Sequence, residues 1–201
     1  MTTKPLVTSN ASIPELAITE LAPLELATAK LATSEPDSRA RLSRVVLAGE
    51  AMTRLSPILE ADRAQAVADL TVQNHFVPSA VKIGAGLSPE LFGPFVLHLS
   101  VQEGRLVFDI RAEDDRPLVM HLLSLSPFRG LIKDYQMLVD SYITAVEEGR
   151  EARIQAIDMG RRGLHNEGAA LMKERLDGKI AIDFETARRL FTLVCVLHQR
   201  I

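Results

Sequence analysis

The feature that most constrains this chain is a pair of alternating runs joined by Glu103-Gly104. Phe95, Leu97, Leu99 and Val101 alternate with Val96, His98, Ser100 and Gln102. Leu106, Phe108 and Ile110 then alternate with Arg105, Val107, Asp109 and Arg111. A period of two belongs to a strand, and an acidic residue followed by Gly between two such runs signals a two-residue hairpin. The register follows from the turn. Val101 faces Leu106, Leu99 faces Phe108 and Leu97 faces Ile110 on an apolar side, while His98 lies across from Asp109 on the other. A sheet built on this hairpin has one apolar face that other elements must cover.

The cover is supplied by the second half. All ten prolines fall at or before Pro127, and beyond it the period changes from 2 to 3.6. Ser126 is a good N-cap and Pro127 suits the first helical position. Phe128, Leu131, Ile132, Tyr135, Leu138, Val139, Tyr142 and Val146 then recur at three and four, ending before Gly149. A shorter helix holding Ile154 and Ile157 is expected to stop at Gly160, and another to run from Asn166 or Glu167 to Leu176. Residues 179–182 are extended. Asp183 caps a last helix with Ala187, Leu190, Phe191, Val194, Leu197 and His198 inward. Upstream, 42–48 reads as a strand and Pro57 to Asn74 as a helix ended by His75-Phe76-Val77-Pro78. The Gly- and Pro-bearing stretch 79–94 reads as a loop, and Leu118–Leu125 as a third strand of the sheet. The expected fold is α+β: a small antiparallel sheet of three to four strands packed with helices, a helical C-terminal half and a disordered N-terminal tail.

Charge sets the tail apart. The net charge is −3, and residues 1–38 hold two lysines against five acidic residues, so the tail accounts for all of it. Residues 39–201 are left neutral and read as a single α+β domain. Within the tail, Glu15-Leu16-Ala17, Glu20-Leu21-Ala22, Glu25-Leu26-Ala27 and Lys30-Leu31-Ala32 recur every five residues. That step gives leucine no common face on a helix or on a strand, and Pro14, Pro23 and Pro36 interrupt it. A low-complexity, disordered acidic tail is the expectation, with a short helix ordered by a partner as the alternative. It fits neither a signal peptide nor a transit peptide.

Composition removes several functional classes. A neutral body has no general basic field for nucleic acid, and 4% aromatic residues without Trp provide poorly for base stacking. Cys195 is the lone cysteine, which rules out an internal disulfide and a cysteine zinc site. No apolar run approaches the ~18 residues of a membrane span. Phosphate-binding loops, hydrolase elbows, kinase signatures and dinucleotide fingerprints are all missing. A cytoplasmic protein without cofactor or membrane contact is expected, with nucleic acid disfavoured as a partner beyond a local RNA contact.

Several blocks are familiar together: His98-Leu99-Ser100 with Gly104 to Arg111, Leu123 to Arg129, Ala156 to Gly168, and Asp183 to His198. Over about residues 40–201 the chain resembles an uncharacterised family of small alphaproteobacterial proteins of unknown function. The resemblance implies a bacterial cytoplasmic protein. It brings no activity, ligand or catalytic residue with it.

Candidate sites therefore rest on residue chemistry. The densest polar cluster is Gly160-Arg161-Arg162-Gly163-Leu164-His165-Asn166-Glu167-Gly168, read as a loop before a helix start. Arg161, Arg162, Gly163 and Asn166 would bind a phosphate or carboxylate there, with His165 moving a proton and Glu167 orienting it. As a purely structural loop, the same segment would use Gly160 and Asn166 as caps and pair its arginines with Asp158 or Glu167. The second cluster is His98 and Asp109. An odd-length second turn adds His121 to their row, while an even-length one sends His121 to the core face beside Phe108. Two histidines and a carboxylate suit a transition metal, but rows along a flat sheet converge poorly, so no bound metal is expected. His198 and Cys195 read as packed residues of the last helix. The leading functional expectation is a binding or regulatory module acting through a protein partner or a homo-oligomer. The alternative is an enzyme or receptor for a phosphate-bearing, anionic small molecule at 160–168.

Overall fold

The computed structural model describes residues 39–48, 55–79 and 93–198. The acidic tail and positions 80–92 of the expected loop lie outside them. The hairpin forms in the expected register. Strands β3 (Phe95–Gln102) and β4 (Arg105–Ala112) pair antiparallel with Leu99 opposite Phe108 and His98 opposite Asp109. Glu103 and Gly104 both take positive φ, 49° and 71°, the pair of left-handed residues that a turn matching strand twist requires. β5 (Pro117–Ser124) continues the sheet antiparallel to β4.

One strand departs from the expectation. β1 (Leu42–Leu47) joins the other edge of β3 in parallel, Leu42 beside Phe95 and Leu47 beside Leu99. The sheet is therefore mixed, in the order β1-β3-β4-β5, not wholly antiparallel. A parallel neighbour needs a crossover of a dozen or more residues, and the stretch holding α1 (Pro57–Val72) supplies it. The segment read as the end of that helix forms β2 (Phe76–Pro78), which pairs antiparallel with β6 (Ile180–Ile182) in a second small sheet. Asn74 ties this corner to β1: its Oδ1 accepts from the Leu42 N–H at 2.6 Å, and its Nδ2 donates to the Leu42 carbonyl at 3.1 Å.

After β5, a 3-10 turn at Ser126–Phe128 leads into α2 (Arg129–Glu147), which closes at Gly149 with φ 65°. The two short helices expected next are one. α3 runs unbroken from Glu151 to Leu176, so 160–168 is a helix interior and neither a loop nor a helix start. Gly160 and Asn166 cap nothing. Each glycine inside a helix costs ~1 kcal/mol against Ala, but tertiary packing outweighs that. Ile157, Leu164, Gly168, Ala169, Met172 and Leu176 form a buried stripe passing straight through the glycines. Gly168 is a packing requirement, because a Cβ there would lie 2.3 Å from the Phe191 ring. Gly163 has open space around it.

α4 (Phe184–His198) starts where the Asp183 carboxylate accepts the Thr186 N–H at 2.6 Å. The expected single inner face is too narrow a description. Leu193, Cys195 and Val196 are buried as fully as Leu190 and Val194, because α4 is central and contacts α1, α2, α3 and the sheet. The C-terminal half of α4, Leu190 to Leu197, is buried on every side, and each large side chain buried there contributes about 1.5–3 kcal/mol. None of the described helices is long and apolar enough to cross a membrane.

Candidate functional site

Where α1, α3 and α4 meet, three polar stripes face one another. α1 contributes Asp62, Gln65 and Asp69, α3 contributes Arg161 and His165, and α4 contributes Glu185, Arg188, Arg189 and Thr192. The spacings are three, four and seven, so each set lies on one helical face. Together they line a groove of about 360 Å³.

At its inner end, Asp62 is held from both sides. The Tyr135 hydroxyl donates to Oδ2 at 2.5 Å, and the Arg161 guanidinium pairs with Oδ1. His165 stacks on Tyr135 with ring centroids 5.6 Å apart and meets Phe191 edge-on at 6.1 Å. Only 7% of His165 is exposed, and its Nε2 is buried without a hydrogen-bond partner. Burial, then the charges of Arg161 and Arg188, press its pKa down to about 4 against the opposing pull of Asp62. The ring is neutral at pH 7. Burial and the Asp62 carboxylate push the Tyr135 hydroxyl far up, and burial first also raises the Cys195 thiol, so both keep their protons.

At the mouth, the pairings loosen. Arg188 Nη1 lies 3.5 Å from Glu185 Oε2, and Arg188 Nε is buried without a partner. Arg189 Nε lies 3.8 Å from Asp69, while its Nη1 donates to the Gln73 carbonyl at 2.5 Å.

The expected cluster is thus divided. Arg161 and His165, one turn apart, enter the groove. Arg162 turns outward and pairs with Asp158 at 3.0 Å, while Asn166 is exposed. Gly163 and Glu167 border a second, shallower groove against α2 with Gly160, Asp134 and Met137. Glu167 cannot orient His165, because two residues along a helix point to opposite sides. Sequence reasoning missed Asp62, Arg188, Arg189 and Glu185 as site residues. Their helical spacing was visible, but a polar stripe reads equally as a solvated face.

The sheet cluster also separates. His98 and Asp109 are opposite in register, yet Asp109 accepts from Arg111 Nε and Nη2 at 2.9 and 2.7 Å. His98 Nε2 instead lies 3.4 Å from Asp115, whose carboxyl is held low chiefly by Arg44. His121 pairs with Phe108 on the core face, so the His–Asp–His row does not form. Among the described residues, no group of three or more histidine, cysteine or acidic side chains is arranged to hold a metal ion.

A family model described as "Uncharacterised protein family (UPF0262)" matches residues 39–200. A UPF0262 protein of Granulibacter bethesdensis is 68% identical over 162 residues, covering 80% of this chain and 91% of the relative. Another, from Acidiphilium cryptum, is 60% identical over 162 residues, with 81% and 94% covered. A third, from Nitrobacter winogradskyi, is 49% identical over 165 residues, with 82% and 93% covered. No solved structure matches the chain.

Proposed function

We propose, from the premise that this chain belongs to the uncharacterised family UPF0262, that it is a binding module for a small molecule bearing a carboxylate or phosphate. The ligand occupies the α1–α3–α4 groove. The observation that carries this reading is the pair of buried nitrogens bordering the groove, His165 Nε2 and Arg188 Nε, neither with a hydrogen-bond partner. A buried donor or acceptor left unpaired costs about 1–3 kcal/mol, so natural structures leave few, and an anion bound here would engage the guanidinium of Arg188, whose side chain is 35% exposed. Arginine forks match carboxylate and phosphate geometry. The protonated Cys195 thiol and Tyr135 hydroxyl argue for recognition over nucleophilic chemistry. Thermal-shift titration with phosphate and with small carboxylates tests it. Arg188→Ala should abolish the ligand-induced shift, while Arg162→Ala, on the outward face, should keep it. Equal loss in both, or a shift in neither parent nor variants, would reject the groove.

A second reading, a homo-oligomer, is favoured by apolar exposure beside the shallower groove. Met137 is 57% exposed and Met159 71%. Light scattering that gives the mass of a single chain at all concentrations would remove this reading.

A further inference from the structure

The groove carries as many acids as arginines. Arg161, Arg188 and Arg189 face Asp62, Asp69 and Glu185, so its formal charge is zero. The three pairs are unequal. Asp62 has both oxygens engaged, by Tyr135 and Arg161, and forms a closed unit. The Arg188–Glu185 and Arg189–Asp69 contacts, at 3.5 and 3.8 Å, lie at or beyond hydrogen-bond length. Asp69 also accepts from Gln65 at 2.7 Å and Arg189 donates to the Gln73 carbonyl, so Arg188 and Glu185 are the pair most open to exchange. A simple anion seated on Arg188 would displace Glu185 and leave the groove with one negative charge in excess. A ligand carrying its own cation next to its anion exchanges partners instead, and every charge in the groove keeps an opposite neighbour.

Resting on the binding role proposed above, we infer that the ligand is a small zwitterion of the free amino-acid type. Its carboxylate takes the Arg188 fork and its ammonium takes the Glu185 carboxylate. The polar lining and a volume at the low end of small-molecule pockets suit such a compound.

Calorimetric titration of the full chain with the free L-amino acids, their N-acetyl forms, their methyl esters and inorganic phosphate tests this. At least one free amino acid should bind, with about a tenfold loss on N-acetylation and a similar loss on esterification, one charged contact each. Glu185→Gln should weaken the free amino acid and bind the N-acetyl form at least as tightly as the parent does, because that anion no longer has to displace a carboxylate from Arg188; Glu185 is 56% exposed, so its replacement spares the fold. If N-acetyl forms or phosphate bind as tightly as free amino acids, the zwitterion is wrong and the anion reading stands. If methyl esters match the acids, or nothing binds, the anion reading falls as well.

Discussion

Arg161 and Arg162 are adjacent in sequence and stand on different faces of α3. Arg161, 29% exposed, reaches Asp62 across 99 positions of chain; Arg162, 71% exposed, reaches Asp158 one turn back. The inner face also carries His165 and Gly168, and the outer face carries Gly163, Asn166 and Glu167. The same residue types in one nine-residue window thus have opposite energetic weight. What distinguishes them is which side of the helix meets α1 and α4, and that depends on residues far away in the chain.

The largest expected contrast is between the two arginine partners. Asp62→Ala strands a half-buried guanidinium and leaves the Tyr135 hydroxyl without its acceptor, a loss of about 3 kcal/mol. Asp158→Ala should cost less than ~0.5 kcal/mol, the worth of an exposed pair. Urea unfolding curves that show equal losses would erase the distinction between the faces.

Next comes pH. His165 has a folded pKa of about 4 against 6.5 for a free side chain, so the unfolded chain binds its proton first. Stability from this residue is fully present above pH 6.5 and drains away as pH falls toward 4, by about 2–3 kcal/mol. His165→Phe keeps a ring against Tyr135 and should flatten that slope. His121 and His198, both also held low by burial, add to the same slope, and Asp115, held low chiefly by Arg44, adds to it at the acid end. An unchanged slope in the variant would place the titration elsewhere.

The glycines give the smallest effects and differ in sign. Gly168→Ala forces a methyl group into the Phe191 ring and should cost about 2 kcal/mol. Gly163→Ala, in open space, should raise stability by ~0.5–1 kcal/mol through helix propensity alone. A loss at Gly163 as large as that at Gly168 would mean that the outer face is packed against something.

The hairpin was legible because its two signals, alternation and an acidic-Gly turn, are local and agree. The parallel placement of β1 was not, since six residues of strand say nothing about which edge they join. α3 was misread for an instructive reason. Three glycines in nine residues outweighed the stripe Ile157, Leu164, Ala169, Met172 and Leu176, although that stripe continues in phase through them. Of the candidate site, Arg161 and His165 were named from sequence, but as part of a loop together with Arg162 and Glu167. The rest, on α1 and α4, looks in sequence like any solvated helix face, and only the meeting of three helices makes it a groove.

The most direct test of that groove is the ring nitrogen of His165. Long-range proton–nitrogen spectra of the histidine side chains should be followed as the best-binding amino acid or carboxylate is added. The His165 ring resonances should shift with the binding curve while those of His121 and His198 stay in place. Saturation of the protein with His165 unmoved would contradict a ligand in the groove.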